Sequence, residues 1–256
     1  MARFFITLAY NGEKYVGWQV QPNGMSVQQM LEEALSTITQ QPLKVVGAGR
    51  TDAGVHARAM VAHFDWNGEP FDAEEWLYRL NSYLPRDIAL SSIRPVQPDA
   101  HARFSALSRT YTYHVTTRKD PFQYPFHYRL RYTPDIAIMN RLGEVLMEYE
   151  DFTSFSKLHS DAKTNNCRVT RAEWEACGEG TYRFTVQADR FLRNMVRAIV
   201  GTLLEAGRGR LDENGFRRVI EARDRGAAGD SVPGNALFLE EVHYPDSIWL
   251  VSRSSR

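Results

Sequence analysis

The spacing of apolar and polar residues divides this chain into strands and helices that occur twice in the same order. Arg3 to Tyr10 reads as a strand, and from Ser26 onward Val27, Met30, Leu31, Ala34, Leu35 and Ile38 recur on one helical face. Ser26 followed by Gln29 predicts a capping box, in which two free N–H groups at the helix start are satisfied reciprocally. Short runs rich in valine and alanine, Leu43 to Ala48 and Ala57 to Phe64, suit buried strands better than helices. A helix from about Asp72 to Tyr83 and a strand from Asp87 to Val96 complete a β-α-β-β-α-β order.

That order recurs after Arg103. Arg109 to Thr117 reads as a strand, Pro134 to Tyr149 as a helix, Arg168 to Cys177 and Tyr182 to Ala188 as a hairpin, and Phe191 to Ala206 as a helix. Asp212 to Asp224 adds an extra helix before a last strand from Leu237 to Tyr244. The expected fold is α+β, two ferredoxin-like halves over residues 1–103 and 104–256, joined through a mixed, mainly antiparallel sheet with a central cleft as the ligand site. The boundary is expected in Gln97 to Arg103. Gly226 to Gly234, rich in glycine and alanine, reads as a mobile loop.

In Phe191 to Ala206 a wide apolar stripe of Phe191, Leu192, Met195, Val196, Ile199, Val200, Leu203 and Leu204 leaves Arg190, Arg193 and Arg197 on the other side. Such a face is either solvated or borders the groove, where guanidinium groups grip carboxylates or phosphates in a two-pronged way lysine cannot.

Composition narrows the function classes. With 256 residues, 43% of them hydrophobic and 24% charged, the chain has ordinary globular content and enough apolar surface for a core. No apolar run approaches the roughly 18 residues that span a bilayer, and Met1 to Thr7 turns polar too early for a signal peptide. The expectation is a soluble, cytoplasmic protein with no membrane partner. Cys167 and Cys177 stand without a Cys/His cluster and read as buried small apolar groups, and the seven histidines are scattered. The expected site holds no cofactor and no metal. Zero formal net charge argues against a protein that coats nucleic acid nonspecifically. Yet Arg86, Arg94, Arg103, Arg109, Arg118, Lys119, Arg129 and Arg131 outnumber Asp87, Asp99 and Asp120 in the middle of the chain. They form either a basic face or a solvated surface neutralised by acids from elsewhere.

The candidate chemistry lies in Gly47-Ala48-Gly49-Arg50-Thr51-Asp52-Ala53-Gly54-Val55-His56, a turn expected at the tip of a hairpin. Its glycines let the backbone approach a ligand closely, and Asp52 is its one carboxylate. Taken alone, Asp52-Ala53-Gly54 is also ordinary turn chemistry. Tyr111 alone reads as a strand aromatic packed in the core.

The chain resembles the tRNA pseudouridine synthase A family in several motifs in order. They are Ala9-Tyr10-Asn11-Gly12 with Tyr15-Val16-Gly17-Trp18-Gln19, Gly49 to His56, Asn81 to Ile88, His101 to Ala106, Arg109 to Tyr113, Asp151 to Phe155 and Phe191 to Gly201. Two positions depart from the pattern: Met60 replaces an expected glutamine, and Asn235-Ala236-Leu237 lacks a glycine before the last strand. The resemblance implies a pseudouridine-synthase fold. It also implies isomerisation of uridine to pseudouridine at positions 38, 39 and 40 of the tRNA anticodon stem-loop by a homodimer whose halves together accommodate one tRNA. It makes Asp52 the catalytic residue, an anion at neutral pH that attacks C1′ or takes a sugar proton. It sets Tyr111 against the uracil ring, pairs Arg197 with the catalytic carboxylate, and brings Arg50 to the flipped nucleotide or its phosphate. His56 reads as turn architecture, its imidazole bonding the loop backbone. Two other readings stay open: an RNA-binding module using Tyr111, Tyr113 and Phe104 as a stacking platform, and a nucleoside hydrolase releasing free uracil.

Overall fold

A computed structural model describes residues 1–157 and 164–250. Its main elements are β1 (Ala2–Tyr10), α1 (Val27–Thr39), β2 (Val46–Gly47), β3 (His56–Trp66), α2 (Ala73–Tyr83), β4 (Ile88–Val96), β5 (Ser108–Thr116), β6 (Tyr128–Arg129), α3 (Ile136–Leu146), β7 (Val169–Gly178), β8 (Thr181–Ala188), α4 (Met195–Gly207), α5 (Glu213–Glu221) and β9 (Leu237–His243). The chain forms two compact units, Met1–Leu107 with Leu239–Arg256, and Ser108–Phe238. The first unit therefore differs from the expected 1–103 segment: it ends later and takes back the C-terminal stretch. Gln97 N–H donates to the Ile248 carbonyl (2.9 Å), Leu107 N–H to that of His243 (2.8 Å), and the Tyr244 hydroxyl to that of Ala102 (2.6 Å).

In the first unit β1 lies between β4 and β3, antiparallel to both, and β2 pairs with β3. The order β4-β1-β3-β2 is the ferredoxin-like arrangement expected from the element order. Period-two burial along β1 puts Ile6, Leu8 and Tyr10 in the core, and Phe5 is buried on the opposite face. Trp76 stacks on Phe71 at 3.8 Å and lies 6.4 Å from Phe64, anchoring α2. Asn81, at the end of α2, donates to the Leu90 carbonyl (2.9 Å) and accepts from its N–H (2.8 Å), tying that helix to β4.

Two local expectations change. Ser26 Oγ accepts from Gln29 N–H at 3.2 Å, but the Gln29 amide turns to Glu33 (2.9 Å), so only half of the capping box forms. The strand expected from Leu43 shrinks to Val46–Gly47 because α1 claims the preceding backbone. Leu43 N–H donates to Ser36 Oγ, Val45 N–H to the buried Glu32 carboxylate, and the Val45 carbonyl accepts from Gln28.

In the second unit β8 lies between β5 and β7, antiparallel to both, and the short β6 runs parallel to β5. Helix α3 lies against β7, with Gly143 so close that a Cβ there would stand 2.2 Å from the Ala172 carbonyl oxygen. The arginine-faced helix starts at Met195 rather than Phe191, because Asn194 takes a left-handed conformation (φ 68°) that ends the preceding turn. Arg190 and Arg193 therefore precede it. The helix itself is buried on nearly every side, which replaces the expected two-faced pattern. Cys167 is buried, and burial pushes its thiol up to about 12; Cys177, expected buried, is exposed near the end of β7. No helix among the described residues is long and apolar enough to cross a membrane.

His63 on β3 accepts Ala102 N–H at Nδ1 (3.1 Å) while its ring is almost wholly buried. Burial, and then the nearby Arg3 charge, push its pKa from 6.5 down to about 4. Between those values the unfolded chain takes up a proton that the folded chain refuses, so stability is complete above 6.5 and declines as pH falls towards 4. In His63→Gln, which keeps an acceptor, the fall in Tm between pH 7 and pH 4.5 is expected to be smaller than in the parent; an equal fall would assign the acid sensitivity elsewhere.

Candidate active site

Asp52 sits in the connection 48–55 between β2 and β3, half-buried, with Arg50 exposed two residues before it. Rather than a tight hairpin tip, this is a loop pressed onto the segment after β1. Thr51 is buried, its hydroxyl 2.8 Å from the Tyr10 hydroxyl and its carbonyl accepting Trp18 N–H at 3.2 Å. The loop turns back on itself where Val55 N–H reaches the Asp52 carbonyl (3.2 Å), with Gly54 at φ 77°. His56 is buried, as the turn-architecture reading expects, but its Nδ1 accepts from Gly12 N–H (3.0 Å), outside its own loop.

Two glycines make this contact possible. A Cβ on Gly12 would stand 2.0 Å from the Val55 carbonyl oxygen, and one on Gly17, which has φ 111°, would stand 2.3 Å from that of Thr51. At both positions only a residue without a side chain lets the backbones touch. Tyr15 completes the support, its carbonyl accepting Gly54 N–H and its hydroxyl donating to Asp87 at 2.7 Å. Tyr10, Gly12, Tyr15 and Gly17 stand in the motifs that carry the family resemblance, but no local pattern in the sequence gives them this supporting role. Met60, the departure from the family pattern, is fully buried opposite Leu8, so an apolar side chain suits that place.

Tyr111 and Arg197 belong to the second unit. Tyr111 lies on β5 opposite Val186, mostly buried, with the Phe191 ring edge-on at 5.1 Å. Tyr113 is fully buried and donates to the Pro233 carbonyl (2.9 Å), and burial holds its phenol well above the usual range. A stacking platform that includes Tyr113 is therefore ruled out. Arg197 is half-buried on α4 and exchanges two bonds with one residue: its Nε donates to the Val232 carbonyl (2.7 Å) and its own carbonyl accepts Val232 N–H (3.2 Å).

The stretch expected to be a mobile loop is thus packed on α4. A Cβ on Gly201 would stand 1.8 Å from the Asp230 carbonyl oxygen, Gly229 N–H donates to Thr202 Oγ1 (2.9 Å), and Ser231 Oγ accepts from both Asn194 and Arg225. Gly229 here packs against the Thr202 backbone, where a Cβ would stand 3.1 Å from it, while Ala227 is exposed. Several arginines of the basic middle segment also have partners that charge counting does not reveal. Arg118 pairs with Glu179 (2.5 Å), Arg94 lies 4.0 Å over the Trp249 ring, and Arg109 donates to the Asp189 carbonyl (2.7 Å).

Gly17→Ala combines a steric clash with an unfavourable φ, and is expected to destabilise the protein by about 3 kcal/mol in thermal or urea unfolding. Gly49→Ala, where a Cβ meets nothing within 4 Å, should stay within about 0.5 kcal/mol of the parent. Equal stabilities would show that the contact at Gly17 does not hold the loop.

The family described as tRNA pseudouridine synthase matches residues 6–105 and 149–245, which include Asp52 and Arg197. The chain is 58% identical to tRNA pseudouridine synthase A of Parabacteroides distasonis over 251 residues, covering 98% of this chain and 99% of that protein. The protein of the same name in Porphyromonas gingivalis is 56% identical over 252 residues, covering 98% of this chain and all of the relative. That of Bacillus subtilis is 37% identical over 246 residues, covering 94% and 99%. With both units matched and the Asp52 loop within the matched region, the chain belongs to the tRNA pseudouridine synthase family.

Proposed function

We propose that this protein isomerises uridine to pseudouridine in the anticodon stem-loop of tRNA, at positions 38, 39 and 40, with Asp52 as the catalytic residue. The observation that carries the reading is a half-buried carboxylate on a loop anchored on either side by the buried Thr51 and by the buried Val55 and His56. A rigid frame of that kind holds a reacting group in place at little further entropic cost.

The reaction breaks the C1′–N1 bond, turns the uracil and joins C1′ to C5; N1 gains a proton and C5 loses one. Uracil leaves as a delocalised anion, so one carboxylate suffices, acting at C1′ or on a ribose proton. The target uridine must first leave its stack, at a cost of about a few kcal/mol. In this reading Tyr111 lies against the uracil, Arg50 binds the flipped nucleotide or its phosphate, and Arg197 pairs with the Asp52 carboxylate. Exposure of Arg50 and the fixing of Arg197 by Val232 support those roles. The working form is a cytoplasmic homodimer: a chain of zero formal charge gains basic area for tRNA by pairing with a second copy.

Release of tritium from C5-labelled tRNA tests the assignment. Asp52→Ala is expected to lower release by about 1,000-fold or more while still binding tRNA. Equal release by parent and variant would end the catalytic assignment, and free uracil as product would point to a hydrolase. Arg197→Ala is expected to lower kcat by about 100-fold with a smaller effect on tRNA affinity. Unchanged turnover with weakened binding would remove the pairing with Asp52.

A further inference from the structure

The turn His101 to Ser105 presents an aromatic ring to solvent on a rigid base. Its backbone is closed by Ser105 N–H donating to the His101 carbonyl (2.9 Å) and His101 N–H donating to Ser105 Oγ (2.9 Å). The neutral His101 ring accepts Arg103 N–H (3.1 Å) and Phe104 N–H (3.3 Å) at Nδ1. Ala102, between them, is fully buried and bonded to His63 and Tyr244. A segment so fully hydrogen-bonded has little freedom to fold its side chain inward.

Phe104 nevertheless keeps 75% of its surface exposed. A single exposed apolar residue is unremarkable, but this one ends a series of rings. The buried His63 meets His101 with centroids 4.6 Å apart, and His101 meets Phe104 at 4.4 Å. The Arg103 guanidinium lies 5.5 Å from the Phe104 ring centre. A rigidly held ring beside a cation matches the chemistry that binds unstacked nucleobases, where the π-face takes the base and the charge favours the phosphate backbone.

We propose that Phe104 is a tRNA-binding residue that stacks on a base of the bound RNA, with Arg103 beside it at the backbone. The inference rests on the proposed activity only in taking tRNA as the ligand. It concerns binding outside the Asp52 loop and leaves the chemical step to that loop.

The test uses the full chain with one unmodified tRNA transcript carrying labelled uridines. Phe104→Ala and Phe104→Leu are expected to raise both Kd and KM for the transcript about 10-fold, at unchanged kcat and unchanged mass by light scattering. Phe104→Trp should keep parental affinity, and the fluorescence of the introduced indole should be quenched on adding the transcript. Parental affinity in Phe104→Ala, or in Phe104→Leu, would overturn the proposal, the latter because an aliphatic group cannot stack. A change in oligomeric state accompanying the loss of affinity would also overturn it, by showing that the ring faces a second copy of the chain. Failure of the parent to release C5 tritium would count against the proposed activity. Binding that still depended on Phe104 would then uphold the stacking contact by itself.

Discussion

Backbone contact between Gly17 and Thr51, repeated between Gly12 and Val55, is the constraint on which the Asp52 loop depends. The loop has no regular ladder of its own along 49–55, and two of its backbone groups, the Thr51 carbonyl and the Gly54 N–H, are bonded to the segment that follows β1. Because two main chains meet without an intervening side chain, Trp18 N–H can reach the Thr51 carbonyl, and the Tyr10 hydroxyl can reach that of Thr51. Asp52 is thereby fixed from behind by its neighbours while its own side chain remains half open. Such a frame suits a group that must meet a developing charge without reorganising.

In the second unit a comparable device fixes Arg197. The helix α4 is buried almost all round, so the conformation of its one half-open arginine follows from what packs beside it. The segment through Val232 does this with a reciprocal pair of bonds, and comes close enough only because residue 201 has no side chain. In both units glycine allows two backbones to approach so that a charged side chain between or beside them is held. The same residue type, read along the sequence, suggests a mobile loop at 226–234 and a tight hairpin tip at 47–56.

Much of the molecule was legible in the order of its residues. The strands and helices lie within a few residues of where periodicity sets them, and the β4-β1-β3-β2 order follows from the β-α-β-β-α-β pattern. The motif that carries Asp52 was equally plain. The differences have more than one cause. Leu43 to Val45 looks like a strand by composition, but side chains of α1 take its backbone groups first; Phe191 to Asn194 looks helical, but the left-handed Asn194 breaks the run. Where a second segment competes for the same N–H and carbonyl groups, local pattern cannot report the outcome.

The sequence by itself determined the element order and the residue types available for chemistry, because these depend on interactions spanning three or four positions. Tertiary structure alone decided which carbonyl meets Gly17 and Gly201, that Tyr113 is sealed in the core, and that Phe104 stands at the outer end of a series of rings. Each of these depends on residues tens of positions apart meeting at van der Waals distance, and no local periodicity carries that information.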